Sequence, residues 1–350
     1  MSNPETFFEG KTALIITEVN RYYLSGFRSS LGYLFLSGGK KILYVDGRYI
    51  EAAKQKCAVG VEVRLLSKLS SAISEITGEF HSDKLYCETD ITVRELLRLK
   101  EISSVPTEPS QELSQLIENR RAVKSDKELS CIIAAQRAAE KAFEEILNYI
   151  KPGVSERRLA LELEYKMQLF GAEGMSFETI AVSGKNTSKP HGVPGEKPIE
   201  NGDFVTMDFG ALSGGYCSDM TRTVAVGYAT DEMELVYNTV LAAQEKGISA
   251  IKPGALCRDV DKAARSVIEK AGFGNCFNHS TGHGVGLEIH EKPNLSYAAT
   301  EKLSPFNVIT CEPGIYIEGA FGVRIEDMLF VTQSGAQNLT NCQKNLIILK

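Results

Sequence analysis

The sequence predicts a mixed α/β chain in two parts, a small α/β domain over residues 1–120 and a larger α+β domain over 121–350 built from two related halves. Three observations carry this. At 350 residues the chain exceeds the size at which one apolar core keeps growing, so two cores are expected. Short β-rich runs alternate with helical stretches through the first part only. The tetrapeptide Ile150-Lys151-Pro152-Gly153 returns as Ile251-Lys252-Pro253-Gly254, each time after one helix and before another.

In order along the chain, residues 1–10 are polar and acidic and lack the basic and apolar regions of a secretory signal, so a cytosolic protein is expected. Runs 13–17, 33–37, 42–45, 61–66 and 85–88 read as strands. The Ser-, Pro- and Glu-containing stretch 103–110 breaks the pattern as a domain linker would, and sets the boundary near residue 120. Ser125 with Glu128 three positions on is a capping-box arrangement that opens a helix running to about Ile150. Further helices are expected over about 156–170, 231–250 and 258–271. After each tetrapeptide and its second helix comes a Gly- and His-containing segment, then an acidic hairpin.

Composition narrows the function classes. Hydrophobic residues make up 43% and no stretch approaches the roughly 20 apolar residues of a membrane helix, so no membrane span is expected. A net charge of −6 without a long basic run argues against nucleic acid as a partner. Eight scattered cysteines without a CxxC pair fit reduced, mostly buried thiols.

The chemistry lies in the hairpins. Strands over 205–212 and 216–226 join through Ser213-Gly214-Gly215. Folded about a centre between Ser213 and Gly214, that hairpin sets Asp208 opposite Asp219, a like-charge pairing that asks for a cation. Glu312 and Glu326 flank Gly319 symmetrically in the second hairpin. A single strand acid is usually solvated, but strands rarely carry four in matching places. Four of the five histidines (191, 279, 283 and 290) fall in the same domain, and Gly282-His283-Gly284-Val285-Gly286 is expected to leave backbone room for a ligand or metal beside His283. His81 and His279 read as structural.

Four carboxylates and one imidazole suit divalent manganese, cobalt, zinc or iron, and bridging carboxylates commonly hold two ions about 3.5–4 Å apart. A water bridging two such ions is acidified to a hydroxide nucleophile near neutral pH. Other motifs fall short. Ser37-Gly38-Gly39-Lys40 lacks phosphate-loop spacing, and His290-Glu291-Lys292-Pro293-Asn294 is not HExxH because position 294 is Asn. Cys217 shares the strand face of Asp219 and reads as a buried thiol.

Met207-Asp208-Phe209-Gly210, Cys217-Ser218-Asp219-Met220-Thr221-Arg222-Thr223, Gly282-His283-Gly284 with Leu287-Glu288-Ile289-His290-Glu291, Cys311-Glu312-Pro313-Gly314 and Val323-Arg324-Ile325-Glu326-Asp327 stand in that order. In them the chain resembles the Xaa-Pro peptidases, aminopeptidase P and prolidase, whose catalytic domain has the pseudo-twofold pita-bread fold. Tyr23-Leu24-Ser25-Gly26-Phe27 and Val45-Asp46-Gly47-Arg48-Tyr49 are similar to their creatinase-like N-terminal domain.

The resemblance implies metal-dependent hydrolysis of Xaa-Pro bonds by a metal-bridging hydroxide, with Asp208, Asp219, His283, Glu312 and Glu326 holding two divalent ions, manganese first. Glu312 would also assist proton transfer, His191 and His290 would contact substrate or stabilise the tetrahedral intermediate, Arg324 would act catalytically or as an orienting partner, and Tyr316 would touch substrate. The expected partners are peptides with proline second and a second copy of the chain, in the cytoplasm. Some dipeptidase-like members carry a basic residue where this chain has Asn294, so aminopeptidase and dipeptidase both stay open. Methionine aminopeptidase-like activity, or a creatinase-like or non-catalytic binding protein on the same fold, are the alternatives; the extra N-terminal domain and the complete ligand set disfavour them.

Overall fold

The computed structural model describes residues 11–350, in two compact units, one ending at Arg121 and one running from Ala122 to Lys350. Residues 1–10, read above for the absence of a secretory signal, lie outside the described residues.

In the first unit six strands, β1 (Thr12–Ile15), β2 (Gly32–Ser37), β3 (Lys40–Val45), β4 (Val61–Leu65), β5 (Leu85–Cys87) and β6 (Thr107–Pro109), form one sheet in the order β4-β3-β2-β1-β5-β6. Strand alternation sends Ala13, Ile15, Leu34 and Leu36 to one face and Leu14, Phe35, Ile42 and Tyr44 to the other. Helices α1 (Glu18–Ser25) and α2 (Ile50–Lys56) pack on the first face through Leu24 and Ala53. Helices α3 (Leu69–Glu79) and α4 (Val93–Ile102) pack on the second through Ile73, Ile76 and Leu99. With both faces covered, β1, β2 and β3 are buried over most of their length.

Stretch 103–110 is not the linker that its composition suggested. It contains β6, paired parallel to β5 with Cys87 opposite Pro109, and leads into α5 (Gln111–Ala122), whose Leu113 and Ile117 join the first face. Proline is accommodated because β6 is the edge strand and its outer side needs no donor.

The second unit repeats one arrangement twice. Helix α6 (Asp126–Ile146) opens at Ser125, whose hydroxyl accepts from Glu128 N while Glu128 Oε2 accepts from Ser125 N at 2.7 Å. With α7 (Glu156–Leu169) it covers a sheet ordered β12-β9-β8. Here β7 is Gly174–Met175, β8 Ile180–Ser183, β9 Phe204–Phe209, β10 Ala211–Ser213, β11 Tyr216–Cys217 and β12 Met220–Val226.

In the other half, α8 (Asp231–Ala250) and α9 (Cys257–Lys270) cover β18-β15-β13. The strands are β13 (Gly282–Gly284), β14 (Glu291–Leu295), β15 (Val308–Cys311), β16 (Gly314–Ile317), β17 (Phe321–Arg324) and β18 (Asp327–Val331). The repeated tetrapeptides end on Gly153 and Gly254 at φ +91° and +79°, left-handed positions that turn each first helix towards its second.

The first acidic hairpin is in a different register from the predicted one. Asp208 lies opposite Thr221, and Leu212 opposite Cys217, so the turn is Gly214-Gly215. Both of those glycines have positive φ, as a two-residue hairpin turn requires, and a turn at Ser213-Gly214 would put serine in that region. The offset is two residues, so Asp219 stays on the face of Asp208, diagonal to it rather than opposed. In the second hairpin, Gly314 pairs with Arg324 and Cys311 with Asp327, symmetric about Gly319 as predicted.

Candidate metal centre

The four predicted carboxylate ligands stand at or beside strand ends. Asp208 is next to last in β9, Asp219 falls between β11 and β12, Glu312 follows β15 and Glu326 precedes β18. Gly210 lets the first hairpin close, since a Cβ there would collide with the Ser218 carbonyl oxygen. The two hairpins are joined beside these strand ends: Glu326 N donates to Thr221 O at 3.2 Å and Thr221 Oγ1 donates to Glu326 Oε2 at 2.7 Å. From behind, Arg222 donates to the carbonyls of Thr221 at 2.9 Å and Glu326 at 2.5 Å and pairs with Asp327 at 2.8 Å.

His283 sits at the centre of β13. Its flanking glycines make room for neighbouring backbone and not for a ligand, because a Cβ at Gly282 would meet the Thr310 carbonyl and one at Gly284 the Lys292 carbonyl. The ring Nδ1 is 3.1 Å from the Gly284 carbonyl, which only accepts, so Nδ1 carries the proton and Nε2 turns inward. Nε2 is 3.3 Å from Glu312 Oε1 and 3.5 Å from Asp219 Oδ2.

Asp219, His283 and Glu326 each offer a donor atom within 4.8 Å of the others. Asp208 Oδ1 and Glu326 Oε1 are buried without a protein hydrogen-bond partner, an expensive state for a carboxylate oxygen unless a cation meets it. The donor set of carboxylates and one imidazole fits divalent ions.

The electrostatics point the same way. Burial, then the charges of Glu326 and Asp208, pushes the Asp219 carboxyl well up. Burial followed by Glu312 and Asp208 does the same to Glu326. Asp208 also rises from burial, against the opposing Arg324 charge. Burial pushes Glu312 up as well, but the hydrogen bond and charge of His283, with His279 and Arg324, outweigh it and hold Glu312 at about 2. Crowding thus drives Asp208, Asp219 and Glu326 up and Glu312 down, a tension that divalent cations among the carboxylates would relieve.

These residues line a cavity of about 680 Å³ together with His191, His290 and Arg324. His191 is exposed on the loop after the short 3₁₀ turn Gly184–Ser188, and His290 precedes β14 with its ring centroid 4.4 Å from that of His283. Arg324 Nη2 reaches Asp208 Oδ2 at 2.5 Å, and its other donors meet Thr221 Oγ1 at 3.0 Å, Tyr316 Oη at 2.8 Å and Pro190 O at 3.2 Å.

Tyr316, expected to touch substrate, is not on the cavity wall. It is 7% exposed and stands one layer back, its hydroxyl bonded to Arg324 and to His279 Nε2 at 2.9 Å. His279, read from sequence as structural, does line the cavity; its position before the His283 glycine segment was the available signal. His81 lies in the first unit. Cys217 is buried, its Sγ directed at the Leu287 carbonyl. All eight cysteines are free thiols. Thr221, Arg222, Thr310 and Asp327 support the site from behind and are not picked out by the sequence, because a residue behind a site carries no spacing signal of its own.

Residues 130–333 match Metallopeptidase family M24, and residues 10–123 match the Creatinase/Prolidase N-terminal domain. A Xaa-Pro dipeptidase of Pyrococcus horikoshii is 38% identical over 337 residues, 95% of this chain and 93% of that protein. Among solved structures, a Xaa-Pro dipeptidase from Bacillus anthracis superposes with TM-score 0.93 at 41% identity, covering 97% of this chain and 95% of that one. An X-Pro aminopeptidase from Thermotoga maritima gives 0.91 at 31% identity, over 99% and 100%. The architecture is thus a creatinase-type N-terminal domain followed by a pita-bread catalytic domain, and the chain belongs to metallopeptidase family M24.

Proposed function

We propose that this chain hydrolyses the bond between an N-terminal residue and a following proline, in dipeptides or at the start of longer peptides. One observation carries the reading: four carboxylates from two equivalent hairpins and His283 meet in one cavity, with two buried carboxylate oxygens unmatched by any protein donor. Asp208, Asp219, His283, Glu312 and Glu326 would hold two divalent ions, manganese first, with cobalt, zinc or iron as alternatives. Such ions, when bound, supply Lewis acidity to the substrate carbonyl and acidify the attacking water.

The residues of the chain do the rest. Glu312, tied to Thr310 Oγ1 at 3.1 Å, has a carboxylate that can take a proton from the attacking water. His191 and His290 stand on the cavity wall as donors to a developing oxyanion or to the leaving ring nitrogen, which lacks the N–H of an ordinary amide. Arg324 orients Asp208, and Tyr316 with His279 orients Arg324. Phe177, Ile180 and Ile289 offer apolar wall for the proline ring. The names of the relatives support the substrate class.

We assign residues 1–120 to the accessory domain and 121–350 to the catalytic domain, and expect a cytoplasmic homodimer. Among the described residues, no helix is long and apolar enough to cross a membrane. A panel of Xaa-Pro and Xaa-Ala dipeptides and longer peptides, assayed with manganese, cobalt or zinc, tests the reading. Preference for proline second is the expected result. Equal kcat/KM on the two series would overturn the proline assignment, and cleavage after N-terminal methionine alone would favour the methionine aminopeptidase alternative.

A further inference from the structure

We infer that Glu156 is a positioning residue for the segment that carries His191. Its carboxylate lies in the first turn of α7, is 1% exposed, and receives four hydrogen bonds. Oε1 accepts from Ser183 N at 2.7 Å, Ser183 Oγ at 3.2 Å and Asn186 Nδ2 at 2.9 Å, and Oε2 accepts from Gly195 N at 3.1 Å. One oxygen thus holds the point where β8 ends, and the other holds the point where the chain returns after His191. Backbone bonds fasten the return to the same helix start, Arg157 N to Gly195 O at 2.9 Å and Glu156 N to Lys197 O at 3.1 Å.

Two further ties of the 183–195 segment lead to the strand of the second hairpin that carries Arg324. Thr187 Oγ1 accepts from Gly322 N at 2.8 Å, and the Pro190 carbonyl accepts from Arg324, the residue that also holds Asp208. His191 therefore stands between a base fixed by Glu156 and a crest fixed by Arg324. All four donors to Glu156 are neutral, and together they engage both carboxyl oxygens. Burying a carboxylate is costly, and an apolar side chain would fill the space; what the carboxylate adds is a fixed geometry for both ends of the segment.

The other half repeats the device. Asp261 on α9, also 1% exposed, accepts from Thr281 N at 3.2 Å and Thr281 Oγ1 at 2.8 Å, two residues before His283. Arg265, paired with Asp261 at 2.9 Å, donates to the His279 carbonyl at 2.8 Å. In each half a buried acid on the second helix grips a hydroxyl residue at a strand end through both N–H and Oγ, Ser183 at the end of β8 and Thr281 just before β13, eight residues ahead of His191 and two ahead of His283.

The inference rests on the reading of His191 as a group that acts on substrate, and the test separates the two. Glu156→Gln keeps one acceptor but turns an NH₂ towards Gly195 N–H, so the return end is released. Hydrogen exchange of the 184–195 amides, measured with and without manganese, is expected to speed up by about tenfold or more while α6 keeps its protection. With full metal content, kcat on a Xaa-Pro peptide is expected to fall by about tenfold, with KM changed much less, and the fall should vanish when His191→Ala is already present. Asn186→Ala, which removes one donor only, should move exchange and kcat the same way by about threefold, and serves if Glu156→Gln does not fold. Unchanged exchange in both variants overturns the tie. A kcat loss of the same size with and without His191 overturns action through that residue. A wild-type rate in His191→Ala overturns the underlying reading of His191 and with it the functional half of this inference, leaving the exchange result to decide the structural half.

Discussion

Arg324 Nη2 lies 2.5 Å from Asp208 Oδ2 while Nη1 of the same guanidinium reaches Pro190 O at 3.2 Å, so one side chain spans a predicted metal ligand and the residue before His191. A lysine in its place presents one point charge to acceptors that the planar fork serves together. Arg324→Lys should lower kcat/KM by about tenfold or more, on the order of 1.4 kcal/mol. Kinetics paired with metal analysis check this, and a near-native rate would contradict it.

Asp219 and Glu326 crowd the inner end of the cavity with His283. Reconstituted protein should approach two ions per chain, and Asp219→Ala or Glu326→Ala should lose at least one. Elemental analysis after dialysis decides the matter. Full activity in strong chelator, with no metal detected, would remove the two-metal reading.

Glu312 is the carboxyl held lowest in the cluster, by the hydrogen bond and charge of His283 that overcome its burial. Glu312→Gln keeps an oxygen for a metal ion but no longer takes a proton. Turnover should fall by several powers of ten, about 3 kcal/mol or more of transition-state stabilisation. A variant with full metal content and near-native turnover would exclude the proton-transfer role.

Stability of the metal-stripped protein should depend on pH in a particular direction. A carboxyl whose folded pKa is raised stabilises the fold below its unfolded pKa, and that contribution is lost as pH rises through the folded value. Asp219 and Glu326 are of this kind. Glu312 is the reverse: its contribution is present above the ordinary carboxylate range and is lost only as pH falls towards about 2. Above the ordinary carboxylate range, therefore, Asp219 and Glu326 weaken the stripped protein as pH rises while Glu312 stays constant. Divalent ions displace those protons, so the gain in Tm on adding manganese should widen as pH rises there. A gain that is flat or shrinks with pH would show that these two groups are not the sites of competition.

Arg222 is 1% exposed and pairs with Asp327 while holding the Glu326 carbonyl. Arg222→Met would leave Asp327 dependent on Lys344 at 2.9 Å, Gln244 and Asn338. Removing one partner of a buried pair costs about 3–5 kcal/mol. Denaturant titration measures it, and a loss below about 1 kcal/mol would mean that the remaining partners suffice.

What was legible in the sequence followed the locality of each signal. Ser125 with Glu128 and the two tetrapeptides are signals a few residues long; three of the four helices lie within about one residue of expectation, and the first ends at Ile146, short of the expected Ile150. Gly319 marks the second hairpin unambiguously, so the symmetry of Glu312 and Glu326 could be read directly. The first hairpin offered three adjacent turn formers, and only the backbone angles at Gly214 and Gly215 choose among them. An even offset preserves the face, so Asp208 and Asp219 still share one. Proline and polar residues hid β6, since an edge strand has no inner-strand composition. Tyr316 stands one layer behind the cavity and His279 on its wall, a difference hidden in the sequence because spacing places a residue near a site but does not say which side of the wall it occupies.

The joining of the two hairpins through Thr221 and Glu326 also sets when, during synthesis, the site can exist. A nascent polypeptide that has left the ribosome only as far as α9 presents Asp208 and Asp219 but neither His283 nor the two glutamates, and the carbonyls of Cys342 and Gln343 that hold Arg222 from behind come later still. By the proposed ligand set, hydrolytic competence is therefore withheld until the stretch through Gln343 has been added, and a chain stopped short of it carries no working peptidase.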